Sequence, residues 1–218
     1  MAPKLYYFAI PGRGEVARLL FHIGNVQFED VRIDGPTWPE QKSKFPFGQV
    51  PVLELDDGRM LAQSGAIGRY VAKLAGLYPE DPIQAAFADQ AVFLVQDVWD
   101  ATLMPSFSLP AEERAKARQD ALAGKGGDKL KQMEKLLEPV EKSGGWVAGG
   151  DKMSFADLEI YVSLSNLVCG MFDGIPKNLL DSYPVLKAYR NRVAQVPAIK
   201  AFYDKDGEGV RAAFRPDA

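Results

Sequence analysis

The feature that most constrains this chain is a change of texture near residue 77. Up to Gly76, short β-prone runs alternate with helix-periodic segments, the mark of an α/β unit; beyond Pro82 every periodic segment is helical. Leu5-Tyr6-Tyr7-Phe8-Ala9-Ile10 reads as a strand, broken by Pro11-Gly12. From Gly14 to Ile23, Val16, Leu19, Leu20 and Ile23 recur at helical spacing, and Gly24-Asn25 supplies a C-terminal stop. A second strand is expected near Phe28 to Ile33, then a loop carrying Trp38. Pro51-Val52-Leu53-Glu54-Leu55 and Arg59-Met60-Leu61 flank Asp56-Asp57-Gly58, a hairpin signal, and Ser64 opens a helix through Ile67, Tyr70, Val71 and Leu74. The pattern predicts two domains, 1–76 and 83–218, with a proline-bearing linker at 77–82.

In the second part, helices are expected over about residues 83–106 and 111–142, the first bent near Pro105 and the second interrupted in Gly124 to Gly127. Ser154 followed by Asp157 and then Leu158, Tyr161, Val162 and Leu164 resembles a capping box opening a core helix, with Asp in place of Glu. The polar stretch Asp206 to Ala218 is expected to be loosely docked.

Composition narrows the chemistry. With one Cys and one His among 218 residues, an intrachain disulfide is excluded, and a zinc site of the usual ligands or a Cys-His nucleophile pair is argued against. A formal net charge of −3 favours neither nucleic acid nor an anionic membrane surface. No apolar run approaches the roughly 20 residues that span a bilayer, and no signal-like segment opens the chain, so a cytoplasmic protein is expected. His22 beside Phe21 and Ile23 reads as packing or surface, Cys169 as core, and Lys125, Lys129, Lys131 and Lys135 as a solvated helix face.

The motifs Leu5-Tyr6-Tyr7-Phe8, Gly12-Arg13-Gly14-Glu15, Trp38-Pro39-Glu40, Phe47-Gly48-Gln49-Val50-Pro51-Val52-Leu53-Glu54, Gln63-Ser64-Gly65-Ala66-Ile67 with Arg69-Tyr70, and Ser154-Phe155-Ala156-Asp157 occur in order along nearly the whole chain. In that arrangement the chain resembles a cytosolic glutathione transferase, most similar to the sigma class with pi-like features. The resemblance implies a thioredoxin-like α/β N-terminal domain plus an all-helical C-terminal domain that contributes the hydrophobic substrate site. It also implies glutathione as co-substrate without a metal, a small apolar electrophile as second substrate, and a homodimer.

The same resemblance assigns roles. Tyr7 matches the hydroxyl that donates to the glutathione sulfur. A free thiol with a pKa near ~8.5 is only about 3% thiolate at pH 7, so a donor that stabilises the anion makes a nucleophile of it. Strand alternation turns Tyr6 to the opposite face, as packing. Pro51 matches a cis-proline that leaves the main chain of Val50 to pair with the cysteinyl part of glutathione. Gln63 and Ser64 match the helix start that receives the γ-glutamyl carboxylate, although Ser64 would also serve as an ordinary N-cap. Trp38, Lys42 and Gln49 match positions holding the glycyl end, and Arg13 a site position that either tunes the tyrosine hydroxyl or holds structure. Asp97 matches an acid reaching the partner subunit's glutathione amino group, with Asp100 as competing candidate. Gln96 stands where much of the sigma class has a second acid. Phe47 is either a dimer key or strand-end packing, and Trp99, Met104 and Phe107 are candidate walls for the electrophile. Three functions follow: conjugation of glutathione to apolar electrophiles, a glutathione-dependent prostaglandin-type isomerase, or a non-catalytic crystallin-like relative. Retention of Tyr7, Arg13, Gln63 and Ser64 argues against the last.

Overall fold

Strand β1 (Lys4–Phe8) lies inside a four-stranded sheet of order β2-β1-β3-β4, with β2 spanning Glu29–Ile33, β3 Val52–Glu54 and β4 Met60–Ala62. It runs parallel to β2, with Tyr6 opposite Val31, and antiparallel to β3, with Leu5 opposite Leu53. β3 and β4 form the expected hairpin through Asp56-Asp57-Gly58. Helix α1 (Glu15–Ile23) follows β1 after a short 3-10 turn at Gly12–Gly14, a four-residue α2 (Trp38–Gln41) follows β2, and α3 (Ser64–Leu74) packs against α1. The computed structural model describes residues 2–217, which separate into two units, residues 2–78 and 79–217.

Pleating divides the first unit. Leu5 and Tyr7 point to one buried face, while Tyr6 and Phe8 join Ile33, Phe45, Val52, Trp38, Val50 and Ala62 on the other. The strand ends at Phe8, two residues earlier than its hydropathy suggests. The carbonyls of Phe8 and Ile10 are instead taken by the guanidinium of Arg18. Trp38 starts α2 rather than lying in open loop, because Pro39 suits the first turn of a helix.

In the second unit, Asp81 caps α4 (Pro82–Thr102) by accepting from the N–H groups of Ile83 and Gln84. This helix stops at Thr102 instead of bending onward: Pro105 has no N–H to continue it, and a 3-10 turn covers Met104–Ser108. The glycine-bearing segment does break the next helix, giving α5 (Ala111–Ala123) and α6 (Lys125–Ser143). Helix α7 (Phe155–Val168) is buried along almost its entire length, and α8 (Pro184–Ala194) and α9 (Pro197–Asp206) complete the unit. Cys169 is buried just beyond α7, and burial pushes its thiol upward, away from ready ionisation.

Ser154 and Asp157 form the reciprocal capping box, and more converges on it. Asp157 Oδ2 accepts from the Ser154 N–H and hydroxyl at 2.7 and 2.9 Å, and Oδ1 from the Val147 N–H at 2.9 Å and from the Tyr189 hydroxyl. The C-terminal segment is firmly attached, contrary to expectation. Phe214 is fully buried, Tyr161 donates to its carbonyl, and Arg190 donates to the carbonyls of Ala213 and Arg215 and to Asp217. A polar composition hid this because the contacts are made by main-chain carbonyls, which carry no residue signature. Among the described residues no helix is long and apolar enough to cross a membrane.

Candidate active site

Tyr7 is carried by β1 to the face covered by α1, where it is 7% exposed. Two glycines allow the returning chain to lie on it. A Cβ on Gly12 would fall 2.5 Å from the Tyr7 hydroxyl, and one on Gly14 2.5 Å from Cδ1 of the ring. Gly12 also has φ +45, a conformation glycine adopts without a side-chain clash. Packed this closely, the Arg13 N–H donates to the Tyr7 hydroxyl oxygen at 3.0 Å. With a lone pair engaged on that side, the phenolic proton is directed away from the turn as a donor.

The electrostatics preserve that donor. Burial raises the Tyr7 pKa above its ordinary value, partly offset by the Arg13 N–H and by the charges of Arg13 and Arg18, while Glu15 raises it further. The hydroxyl is therefore protonated throughout the neutral range. Tyr6 has a different environment: its hydroxyl donates to Glu54 at 2.7 Å across β1 and β3, and that bond, followed by burial, pushes its pKa up to about 12.

The remaining residues of the first unit lie outside the strands, in helix starts, helical turns and connecting segments. Trp38 packs edge-on against Phe8 at 5.6 Å between ring centres and tilts against Phe45 at 5.8 Å. Lys42 is exposed, its Cε 3.2 Å from where a Gly48 side chain would start, and Gln49 is exposed in extended backbone. The Val50–Pro51 bond is cis, and Val50 lies outside the ladder in which Val52 pairs with Tyr6 and Ala62. At the start of α3, Gln63 has φ 73 and ψ 114, a rare conformation for a residue with a side chain, and among the described residues no side chain caps this helix. Ser64 is thus the first helical residue rather than the N-cap.

In the second unit, exposed Asp97 accepts from Lys129 at 2.8 Å, and Asp100 accepts from Gln96 at 2.7 Å. Lys129 is therefore an ion-pair partner on α6 rather than only part of a solvated face. Trp99 donates its indole N–H to Ser163 at 2.9 Å and meets Phe172 edge-on; Phe107 also meets Phe172, and Arg118 lies over both phenylalanine rings.

Family models described as "Glutathione S-transferase, N-terminal domain" and "Glutathione S-transferase, C-terminal domain" match residues 3–73 and 96–206. The chain belongs to the glutathione S-transferase family. Among similar proteins, glutathione S-transferase 1 of Ascaris suum is 36% identical over 90% of this chain and 93% of its own. Hematopoietic prostaglandin D synthase of Gallus gallus is 36% identical over 93% of this chain and 95% of its own. The sigma-class transferase structure of Fasciola hepatica superposes with a TM-score of 0.78 at 25% identity, covering 94% of this chain and 96% of that one. The protein is a glutathione transferase, in a family that binds glutathione and electrophiles and commonly dimerises.

Sequence reading missed Arg18 of this transferase. The side chain is 1% exposed and joins Asp30, Glu15 and the carbonyls of Phe8 and Ile10. A signal existed: Glu15 and Arg18 stand one turn apart in a helix whose other residues from 16 to 21 are apolar, and two such charges share a face.

Proposed function

We propose that the Tyr7 hydroxyl donates to the sulfur of glutathione and stabilises its thiolate, which then attacks an apolar electrophile. The carrying observation is the 3.0 Å bond from the Arg13 N–H, which engages one side of the hydroxyl and directs its proton outward. In conjugation to a chlorinated nitroaromatic, the thiol proton passes to solvent, the thiolate forms the C–S bond, and chloride departs with the C–Cl electron pair.

The rest of the cradle follows the family pattern. Val50, outside the ladder beside Pro51, offers main-chain groups to the cysteinyl part by strand addition. The uncapped start of α3 at Gln63 and Ser64 suits the γ-glutamyl carboxylate, because its free N–H groups and dipole favour an anion. The unusual backbone of Gln63 supports a functional role there. Trp38, Lys42 and Gln49 bind the glycyl end, with the Lys42 ammonium paired to its carboxylate. Asp97 of a second subunit receives the glutathione ammonium, so the active form is a homodimer. Exposed Phe47, and Ile83, Phe87 and Phe93 on α4, are apolar surface of the kind a second copy covers. No metal takes part, and the protein is cytoplasmic, in keeping with a single buried thiol.

The test compares wild type with Tyr7→Phe for glutathione affinity, thiolate absorbance and conjugation. Tyr7→Phe should retain glutathione, within about threefold in Kd, and lose about 90% or more of the thiolate at neutral pH. Full activity in that variant would remove Tyr7 from the mechanism. A second reading, isomerisation of a prostaglandin-type endoperoxide by the same thiolate, is favoured by the resemblance to a prostaglandin D synthase. Relative turnover of an endoperoxide and the nitroaromatic separates the two.

A further inference from the structure

Arg18 is a buried cation that bonds two main-chain carbonyls as well as two carboxylates, and the carbonyl bonds are ones a merely neutralising cation would not need. Its Nε–H donates to both Asp30 oxygens at 3.1 Å, and Nη1 to the Ile10 carbonyl at 2.9 Å and to Glu15 at 3.1 Å. Nη2 donates to the Phe8 carbonyl at 2.9 Å. The two carboxylates balance and orient the guanidinium. The two carbonyls lie on either side of Ala9, where β1 leaves the sheet and the chain turns back towards Gly12 and Arg13. The guanidinium carbon also lies 5.7 Å from the centre of the Tyr7 ring. One planar side chain thus grips the turn that brings the Arg13 N–H to Tyr7 and flanks the ring that receives it.

We propose that Arg18 is a positioning residue for catalysis: it fixes the turn after β1 so that the Arg13 N–H meets the Tyr7 hydroxyl and sets the direction in which that hydroxyl donates. This rests on the reading of Tyr7 as the thiolate-stabilising donor. The charged groups that act on Tyr7 are Arg13, Arg18 and Glu15, and Asp30 reaches it only through Arg18. A lysine at position 18 keeps the charge but loses the planar fork, and one ammonium on a flexible stem cannot hold four acceptors in fixed geometry. Exchange to Lys therefore tests geometry separately from charge.

The experiment titrates the thiolate absorbance of glutathione bound to the full-length enzyme, for wild type, Arg18→Lys, Tyr7→Phe and the double variant. Arg18→Lys should raise the pKa of the bound thiol by about one unit and lower kcat about tenfold at neutral pH, with KM for glutathione changed less than about threefold. In the Tyr7→Phe background the same exchange should leave the thiol pKa where Tyr7→Phe alone puts it. Arg18→Lys that lowers stability but leaves the thiol pKa at the wild-type value, or shifts it equally in both backgrounds, overturns the proposal and leaves Arg18 a structural residue. If Tyr7→Phe itself leaves the thiol pKa unchanged, the Tyr7 reading fails and this one with it. Should Arg18→Lys not fold, Asp30→Asn loosens the guanidinium from a partly exposed site. It should raise the thiol pKa by about half a unit only when Tyr7 is present; no shift in that variant also overturns the proposal.

Discussion

The Arg13 N–H and the Tyr7 hydroxyl oxygen are 3.0 Å apart, and they meet because residues 12 and 14 carry no side chain. At Gly14 an added Cβ would lie 2.5 Å from Cδ1, 2.7 Å from Cγ and 3.0 Å from Cβ of Tyr7. Those atoms are the root of the side chain, which cannot swing aside without moving the strand. Gly14→Ala should cost about 1–3 kcal/mol by overpacking. It should also lower kcat by about tenfold or more by displacing the hydroxyl. Gly58→Ala is the comparison: Gly58 has φ +83 and nothing within 4 Å of an added Cβ, so only backbone strain of about 1–2 kcal/mol is expected. Urea unfolding and conjugation assays on both variants check this, with activity per folded molecule retained in Gly58→Ala.

Tyr6 and Tyr7 are sequence neighbours with different pH behaviour. The Tyr6 pKa is raised from 10.0 to about 12, chiefly because its proton is held by Glu54. The folded state prefers the neutral phenol, so the bond's contribution is fully present below pH 10 and is lost as pH rises through about 12. For a partly exposed hydrogen bond to a carboxylate that contribution is about 1 kcal/mol. Tyr6→Phe should therefore be less stable than wild type at neutral pH by this amount, and the gap should close above pH 10. Urea midpoints across the alkaline range measure the gap directly. Conjugation at neutral pH should be unchanged in Tyr6→Phe, since its hydroxyl is on the face away from Tyr7.

Local signals carried most of the fold. Strand alternation separated Tyr6 from Tyr7, Asp56-Asp57-Gly58 marked a hairpin that forms, and glycines at 124–127 marked a helix break that occurs. Where local signals were read too far, tertiary bonds explain the difference. β1 ends at Phe8 because Arg18, ten residues on, takes the carbonyls the sheet would have used. The C-terminal segment docks because Arg190 and Tyr161 reach main-chain oxygens that no hydropathy pattern reveals. At the site, Tyr7 lies on β1, Trp38 and Ser64 begin helices, Arg13 and Lys42 lie in 3-10 turns, and Gln49, Val50, Pro51 and Gln63 lie between elements. The support beneath Tyr7 was less legible: the spacing of Glu15 and Arg18 on an apolar helix marks the pair, but nothing local marks Asp30 or the carbonyls of Phe8 and Ile10 as partners of Arg18.

The capping box of α7 predicts a large stability effect from residues with no assigned part in the chemistry. Removing the Asp157 carboxylate leaves four buried donors, from Val147, Ser154 twice and Tyr189, without their acceptor. Asp157→Ala should cost about 3–5 kcal/mol, since each buried donor left unpaired retains its desolvation penalty. Lys116→Ala, which breaks only the exposed pair with Asp120 on α5, should cost less than about 0.5 kcal/mol. Urea midpoints for the two variants should rank accordingly. A shift for Asp157→Ala as small as that for Lys116→Ala would mean that solvent or repacking satisfies those donors.

In the proposed homodimer, Phe47 links the assembly to the site. It is 75% exposed and has φ 58, so a bulky apolar side chain is held in water by a backbone conformation that is unfavourable for it. Strand-end packing would bury the ring, whereas a second copy of the chain would both cover it and repay the conformation. Phe47→Asp should convert dimer to monomer, read by sedimentation equilibrium at micromolar concentration. Because Asp97 is assigned to the other subunit's glutathione, the same variant should raise KM for glutathione by about tenfold, the loss of one ion pair to a ligand. Asp97→Asn should raise KM similarly in the dimer, yet have no effect in the Phe47→Asp background, where the acid no longer reaches any glutathione. If Asp100→Asn shows that pattern instead, the ammonium partner is Asp100, one turn along α4. Equal effects of Asp97→Asn in monomer and dimer would place that acid's influence within its own subunit, where Lys129 is its counterion.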